Sequence, residues 1–134
     1  MRYFLIFIIL LFGIASQAQQ TASIDFTKAE VDIFNIDPFN GEIEGRMDLY
    51  FEVLADVDSV FVDAKAFSDV EVFLDQNEVK MSEYDGLHII VKNDFIANST
   101  HTLHINWKTK PKKAMYFVGW NNNARDQIWT QGQG

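Results

Sequence analysis

The chain of 134 residues contains no cysteine and is short of basic residues, and both shortages exclude classes of protein. Without cysteine there is no disulfide framework and no lipid-modified N-terminal cysteine, so burial has to stabilise the fold. Lysine and arginine number 11 against 19 aspartate and glutamate residues, which gives a net charge of −8. This acidic balance argues against nucleic acid and against anionic membrane surfaces as partners.

Motifs that carry catalytic chemistry are also missing. The sequence has no Gly-x-Ser-x-Gly nucleophile elbow, no glycine-rich phosphate loop and no His-Glu-x-x-His pair for a catalytic zinc ion. The carboxylates between Asp56 and Glu71 alternate with apolar residues, as expected of side chains on the solvent-exposed face of a sheet. No two of them stand out as the catalytic pair of a glycosidase. An independent small hydrolase is therefore the weakest hypothesis.

Three histidines, His88, His101 and His104, are candidates for metal binding or acid–base chemistry. His101 and His104 stand three apart in a segment that alternates like a strand, and odd spacing in a strand places side chains on opposite faces. They cannot share a metal ion without a bulge, and no further histidine or cysteine has ligand spacing. We therefore expect no metal site in this chain.

The N-terminus has the pattern of a secretory signal. Arg2 precedes an apolar run from Phe4 to Ile14, and Ser16-Gln17-Ala18 follows, with small residues at the two positions that a signal peptidase reads. The run is shorter than the ~20 apolar residues that cross a bilayer, which disfavours the alternative of an uncleaved anchor. We expect a signal-peptide helix in residues 1–18, no membrane span after its removal, and a secreted or periplasmic location.

The remaining residues, 19–134, read as one domain of alternating strands. In the segment 42–53 the apolar residues share one parity, which is typical of a half-buried strand: Ile43, Met47, Leu49, Phe51 and Val53. Ala29, Val31 and Ile33 share one face of the segment before it, and Pro38–Gly41 supplies turn chemistry, so the two are predicted to form an antiparallel hairpin. Further short alternating segments follow, and none shows sustained helical periodicity. The sequence predicts an all-β sandwich or barrel.

The aromatic residues leave two functional alternatives open. Trp107, Trp120 and Trp129, with Tyr116, could form a platform that stacks on sugars, as in a free-standing secreted module that binds carbohydrate or protein. They could equally belong to the core of the sandwich and to an interface, which we favour. Of the three tryptophans, Trp129 is expected to be the least buried by other residues of this chain.

The order of several segments resembles a known family. The signal pattern and five segments that follow it are similar to the N-terminal β-domain of the zinc metallo-aminopeptidases of peptidase family M1, the aminopeptidase N family of gluzincins, in its secreted Bacteroidetes-like form: Ile24–Pro38, Gly41–Leu54, Val57–Ala64, Ala114–Trp120 and Gln127–Gly134. The resemblance covers residues 22–134, and its most specific part is the final segment. It implies an antiparallel, saddle-like β-sandwich that packs on a thermolysin-like catalytic domain.

The resemblance also implies roles for two residues near the end of the sequence. Gln131 matches the family glutamine that lines the pocket for the first side chain of the substrate. Gln133 matches the Glu/Gln that helps to hold the free α-amino group of the substrate. An ammonium group needs fixed acceptors, and an amide oxygen is a weaker acceptor for it than a carboxylate. We therefore expect weaker binding of the amine through Gln133 than a glutamate would give.

The family's zinc site, its Gly-x-Met-Glu-Asn loop and its transition-state tyrosine have no counterpart in the sequence. We expect this chain to be a fragment that stops before the catalytic domain, to hydrolyse nothing alone and to hold no cofactor, since zinc would belong to the full-length enzyme. Its expected partners are that catalytic domain and the N-terminus of a peptide substrate. The leading hypothesis is an accessory domain of a secreted zinc aminopeptidase.

Overall fold

A computed structural model describes residues 20–78, 82–121 and 125–132, and most of them lie in β-strands. The predicted signal peptide, residues 1–18, lies outside these ranges. Within the described ranges, one helical turn, α1 (Gln20–Ser23), precedes ten strands: β1 (Ile24–Asp37), β2 (Glu42–Val53), β3 (Val57–Asp63), β4 (Phe67–Leu74), β5 (Asn77–Glu78), β6 (Ser82–Tyr84), β7 (His88–Phe95), β8 (Thr100–Thr109), β9 (Met115–Val118) and β10 (Gln127–Thr130). No helix in the described ranges is long and apolar enough to cross a membrane.

The strands form three antiparallel sheets, so the predicted all-β fold is confirmed. The largest sheet has five strands in the order β1-β2-β8-β4-β5, the second has three in the order β3-β7-β6, and β9 and β10 form a two-stranded ribbon. Buried residues of the five-stranded and three-stranded sheets belong to one hydrophobic cluster. The two sheets therefore share a core in the manner of a sandwich.

The predicted hairpin of the first two strands is also confirmed. β1 pairs with β2 from Ile24 opposite Val53 to Asp37 opposite Glu42, with irregularities in register that are typical of β-bulges. The Asp37 carboxylate accepts the backbone N–H groups of Phe39 and Asn40 at 3.0 and 3.1 Å. These bonds fix the turn in the way expected of an aspartate at its first position.

The alternation predicted for β2 matches its burial. Ile43, Phe51 and Val53 are buried, and Met47 and Leu49 are half-buried against the same core. Gly45 has the same parity, and a Cβ atom there would lie 2.5 Å from Cζ2 of Trp107 and 2.7 Å from the carbonyl oxygen of Asp32. Only glycine leaves room for the Trp107 ring, which stacks on Phe67 at 5.0 Å between centroids.

The side chains on the core side of β1 are more exposed than those on the core side of β2. Val31 and Ile33 lie directly opposite Met47 and Gly45, so their side chains are on the core side of the sheet. Both are nevertheless exposed, Val31 by 57%. The three-stranded sheet is narrower than the five-stranded one, and it leaves this edge strand uncovered.

A carboxylate in the turn between β6 and β7 gives a stability prediction that depends on pH. Oδ1 of Asp85 accepts the backbone N–H groups of Leu87 and His88 at 2.7 and 2.6 Å, and Oδ2 lies 3.1 Å from Nδ1 of His88. The hydrogen bond to the His88 side chain, helped by the two backbone donors, lowers the pKa of Asp85 to about 2. A carboxyl group in an unfolded chain has a pKa of about 3.9.

We expect Asp85→Asn to lower the melting temperature at neutral pH, because the depressed folded-state pKa of Asp85 stabilises the fold at pH values above the unfolded-state pKa. That contribution is lost as the pH falls through about 2. The difference in melting temperature between the variant and the parent chain should therefore disappear between pH ~4 and pH ~2, as measured by thermal scans followed by circular dichroism. Asp94→Asn, at an exposed carboxylate of β7, serves as the control. A difference in melting temperature that stays constant down to pH ~2 would contradict this account.

Candidate functional site

The candidate site lies at the end of β10, because Gln131 follows that strand directly. β10 pairs with β9 from Gln127 opposite Val118 to Thr130 opposite Met115. The backbone N–H of Gln131 donates to the carbonyl oxygen of Ala114 at 2.8 Å, which extends the ladder by one residue. The backbone of Gln131 is therefore fixed, while its side chain is exposed.

The ribbon is attached to the rest of the molecule through its core side and its turn. Met115 and Phe117 pack against the hydrophobic core. Beyond β9, the Trp120 ring meets Phe39 edge-on at 5.7 Å, and its Nε1 donates to the carbonyl oxygen of Gln127 at 3.2 Å. These contacts hold the ribbon against the turn between β1 and β2, and so determine where Gln131 stands.

The outer side of the ribbon carries an aromatic pair. Tyr116 and Trp129 are directly opposite each other, and their rings stack at 4.3 Å with 18° between the planes. Trp129 is 43% exposed. Trp107, by contrast, is buried in the core, and Trp120 rests on Phe39. The three tryptophans therefore do not form one platform, since Trp107 belongs to the core, whereas Trp129 stacks on Tyr116 at the outer side of the ribbon.

Only one of the two predicted substrate residues can be placed. Gln131 lies two residues beyond Trp129, at the exposed end of the ribbon. Gln133 lies outside the described residues, so its position relative to Gln131 stays a prediction.

An apolar surface leads from β1 to the ribbon. We call it the apolar band and define it by Val31, Ile33, Ile36 and Phe39, all of them exposed. Ile36 pairs with Ile43 on the core side of the sheet, and Phe39 meets Trp120 of the ribbon. Large exposed apolar patches are typical of sites that contact another protein, a membrane or a ligand.

The three histidines are engaged by carboxylates and not by one another. His101 packs its ring against Phe51 and Phe95, whereas His104 lies on the opposite face of β8 beside Asp48, so the prediction that they face apart is confirmed. His88 pairs with Asp85 and Asp63. Within residues 20–78, 82–121 and 125–132, no group of three or more histidine, aspartate or glutamate side chains could hold a metal ion. The described residues thus do not fit a zinc ion.

No protein-family model matches the sequence, and neither does any curated protein. Solved structures do match the fold. The M1 zinc metallopeptidase from Deinococcus radiodurans aligns with a TM-score of 0.59 at 12% identity, covering 69% of this chain and 21% of that chain. A mutant of it bound to a Tyr-Ser-Ala substrate aligns with a TM-score of 0.58 at 10% identity, covering 82% and 25%.

A second organism gives the same result. Legionella pneumophila aminopeptidase A, in complex with aspartic acid, aligns with a TM-score of 0.60 at 13% identity, covering 70% of this chain and 12% of that chain. The chain thus spans a quarter or less of the length of these proteins. At such low identities the similarity is one of fold. The chain has the β-fold of a part of the M1 zinc metallopeptidases.

Proposed function

We propose that this chain is the N-terminal accessory domain of a secreted zinc aminopeptidase, and that it positions the substrate for a catalytic domain. The observation that carries the proposal is the similarity in fold to M1 zinc metallopeptidases over 69–82% of the chain. One of those structures holds a peptide substrate and another an amino acid. The resemblance of the final segment, Gln127–Gly134, supports the same assignment independently.

Docking on the catalytic domain would use the apolar band. Its four residues are exposed although three of them lie on the core side of β1, and a partner that covered them would continue the buried core outward. The band also ends at the ribbon, where Phe39 meets Trp120, whereas Gln131 lies at the opposite end of the ribbon beside Ala114. A partner would have to span the length of the ribbon to contact both.

Substrate contacts would come from the end of the ribbon. The Gln131 backbone is fixed by Ala114, and its exposed amide can accept and donate hydrogen bonds beside the first side chain of a peptide. Gln133, two residues further on, would accept from the free α-amino group, which confines cleavage to the first peptide bond. The zinc ion would be held by the catalytic domain.

Docking can be measured by titrating the chain into a separately produced zinc catalytic domain from a full-length relative, with isothermal calorimetry as the readout. We expect saturable binding, and we expect Val31→Asp to weaken it about tenfold or more, because the new carboxylate would be buried without a partner. Ile96→Asp is the matched control, since Ile96 is 59% exposed, like Val31 at 57%, but lies outside the band. It should bind like the parent chain.

The same variants predict the behaviour of the chain alone. An exposed apolar band should cause self-association, so the weight-average sedimentation coefficient should rise with concentration and Val31→Asp should suppress the rise. A parent chain that stays monomeric at high concentration and does not bind the catalytic domain would overturn the docking proposal. Equal weakening of binding by both aspartate variants would place the interface elsewhere.

A further inference from the structure

The outer face of the five-stranded sheet, on the side away from the core, contains a trough. Its principal lining residues are Asp48, Tyr50, Phe73, Asp75, Thr102 and His104, and its volume is about 670 Å³. Asp48 pairs across strands with His104, and His104 with Phe73, while Tyr50 pairs with Thr102. The volume lies within the range of roughly 300–1,000 Å³ that is typical of sites for small ligands.

A row of hydrogen-bonded polar side chains crosses the floor of the trough. Nδ1 of His104 lies 2.5 Å from Oδ1 of Asp48, and its Nε2 lies 3.2 Å from Oδ1 of Asn106. Nδ2 of Asn106 donates in turn to Oε2 of Glu71 at 3.2 Å. The row joins β2, β8 and β4, so its donors and acceptors are held in place before any ligand arrives.

Two aromatic rings stand on the strands that flank β8, Tyr50 on β2 and Phe73 on β4. The Tyr50 hydroxyl donates to Glu30 at 2.9 Å, and the ammonium group of Lys28 lies 5.0 Å from the Tyr50 ring centroid, both contacts coming from β1. The hydrogen bond to Glu30 raises the pKa of Tyr50, which keeps the hydroxyl protonated. Phe73 meets the His104 ring edge-on at 5.8 Å. β2 and β4 flank β8, so the two rings stand on strands about 10 Å apart.

The polar groups of the trough suit a ligand that is rich in hydroxyl groups. Asp48 faces His104, Asp75 faces His101 at 2.7 Å, and Glu71 accepts from Asn106. Oδ1 of Asp75 also accepts the backbone N–H of Thr102. Spare acceptor positions on these groups suit hydroxyl donors, and the aromatic rings suit the C–H face of a sugar ring.

We propose that this trough binds neutral carbohydrate, with a pyranose ring seated between Tyr50 and Phe73 and its hydroxyls bonded to Asp48, His104 and Asn106. This activity is separate from the accessory-domain role, because the trough lies on the face opposite to the core and uses no residue of the ribbon or of the apolar band. It also differs from a tryptophan platform, since no tryptophan is among the residues that line it.

The test is a titration of the ¹⁵N-labelled chain with cellotriose, maltotriose, xylotriose and triacetylchitotriose, followed by amide chemical shifts. We expect at least one trisaccharide to give saturable shifts at Thr102, His104 and Asn106. Thr102→Tyr, which fills the trough while keeping a good strand former, should abolish them. Asn106→Ala should weaken binding about tenfold through the loss of a polar contact.

The matched control is Asn35→Ala. Nδ2 of Asn35 donates to Glu44 at 3.2 Å, so this variant loses the same kind of bond as Asn106→Ala but outside the trough, and it should bind like the parent chain. Amide spectra of all variants report whether they are folded. The proposal is overturned if no trisaccharide gives saturable shifts at millimolar concentration, if the shifts lie at Tyr116 and Trp129 instead, or if folded Thr102→Tyr binds normally.

Discussion

Mixing the chain with a zinc catalytic domain is expected to raise the hydrolysis of aminoacyl anilides on the order of 10²-fold over the catalytic domain alone. The chain alone should hydrolyse nothing. The increase would come from positioning, because a substrate whose N-terminus is held in place spends more time with its first peptide bond at the reactive centre. The readout is the release of the coloured aniline, with the catalytic domain at fixed concentration and the chain added until the rate saturates.

Replacing the two predicted contact residues should separate their roles. Gln131→Ala should lower kcat/KM of the mixture about tenfold and change the preference among first side chains, because it removes one hydrogen-bonding group from the pocket wall. Gln133→Ala should lower kcat/KM for every substrate with a free α-amino group. Gln127→Ala is the matched control, since this exposed glutamine lies on β10, four residues before Gln131. It should leave the mixture unchanged.

Three outcomes would count against the accessory role in different ways. Hydrolysis by the chain alone would mean that it contains a catalytic site. A mixture whose rate equals that of the catalytic domain, although calorimetry shows binding, would keep the docking proposal and reject positioning. A stimulated rate that neither Gln131→Ala nor Gln133→Ala lowers would move the substrate contacts away from the end of the ribbon.

Much of the sheet structure could be predicted because alternation has a direct physical cause. In β2 the side chains of one parity face the core and those of the other face water, and the structure places Phe51 and Val53 inside as the pattern predicts. The separation of His101 from His104 follows from the same two-residue period. These are local properties, and they need no knowledge of which strands are neighbours.

The exposed band on β1 could not be predicted in this way. Val31 and Ile33 have the same alternation as the core side of β2, and the sequence does not tell that β1 is an edge strand lying beyond the reach of the second sheet. The trough depends on register as well, since His104 and Asp48 lie 56 residues apart and meet only because β2 pairs with β8. Long-range pairing of this kind leaves no short spacing to find.

The two glutamines of the candidate site, Gln131 and Gln133, have no local pattern of their own. No periodicity or spacing points to Gln131, and its assignment rests on resemblance to a family. The structure adds the position of its backbone and the aromatic pair beside it, and Gln133 lies outside the described residues. The fold was therefore within reach of physical reasoning about the sequence, whereas the site was not.

Phe95→Ala is expected to destabilise the chain by about 3–5 kcal/mol, because it removes a large side chain from the contact between the two sheets. Phe95 of β7 has 0% of its surface exposed, and its ring lies edge-on to Phe51 of β2 at 5.7 Å. With no cysteine in the chain, no disulfide can compensate for the loss. Urea denaturation, followed by tryptophan fluorescence, measures the change in the free energy of unfolding.

Phe34→Ala provides the comparison, because Phe34 is 63% exposed on β1 and should cost no more than ~0.5 kcal/mol. A small domain is stable by only about 5–15 kcal/mol, so the buried variant should lose a large share of the total. Similar unfolding midpoints for the two variants would mean that the five-stranded and three-stranded sheets do not share one core. In that case β2 would lose its rigid support, and the trough and the apolar band, which both depend on β2, could not be preformed binding surfaces.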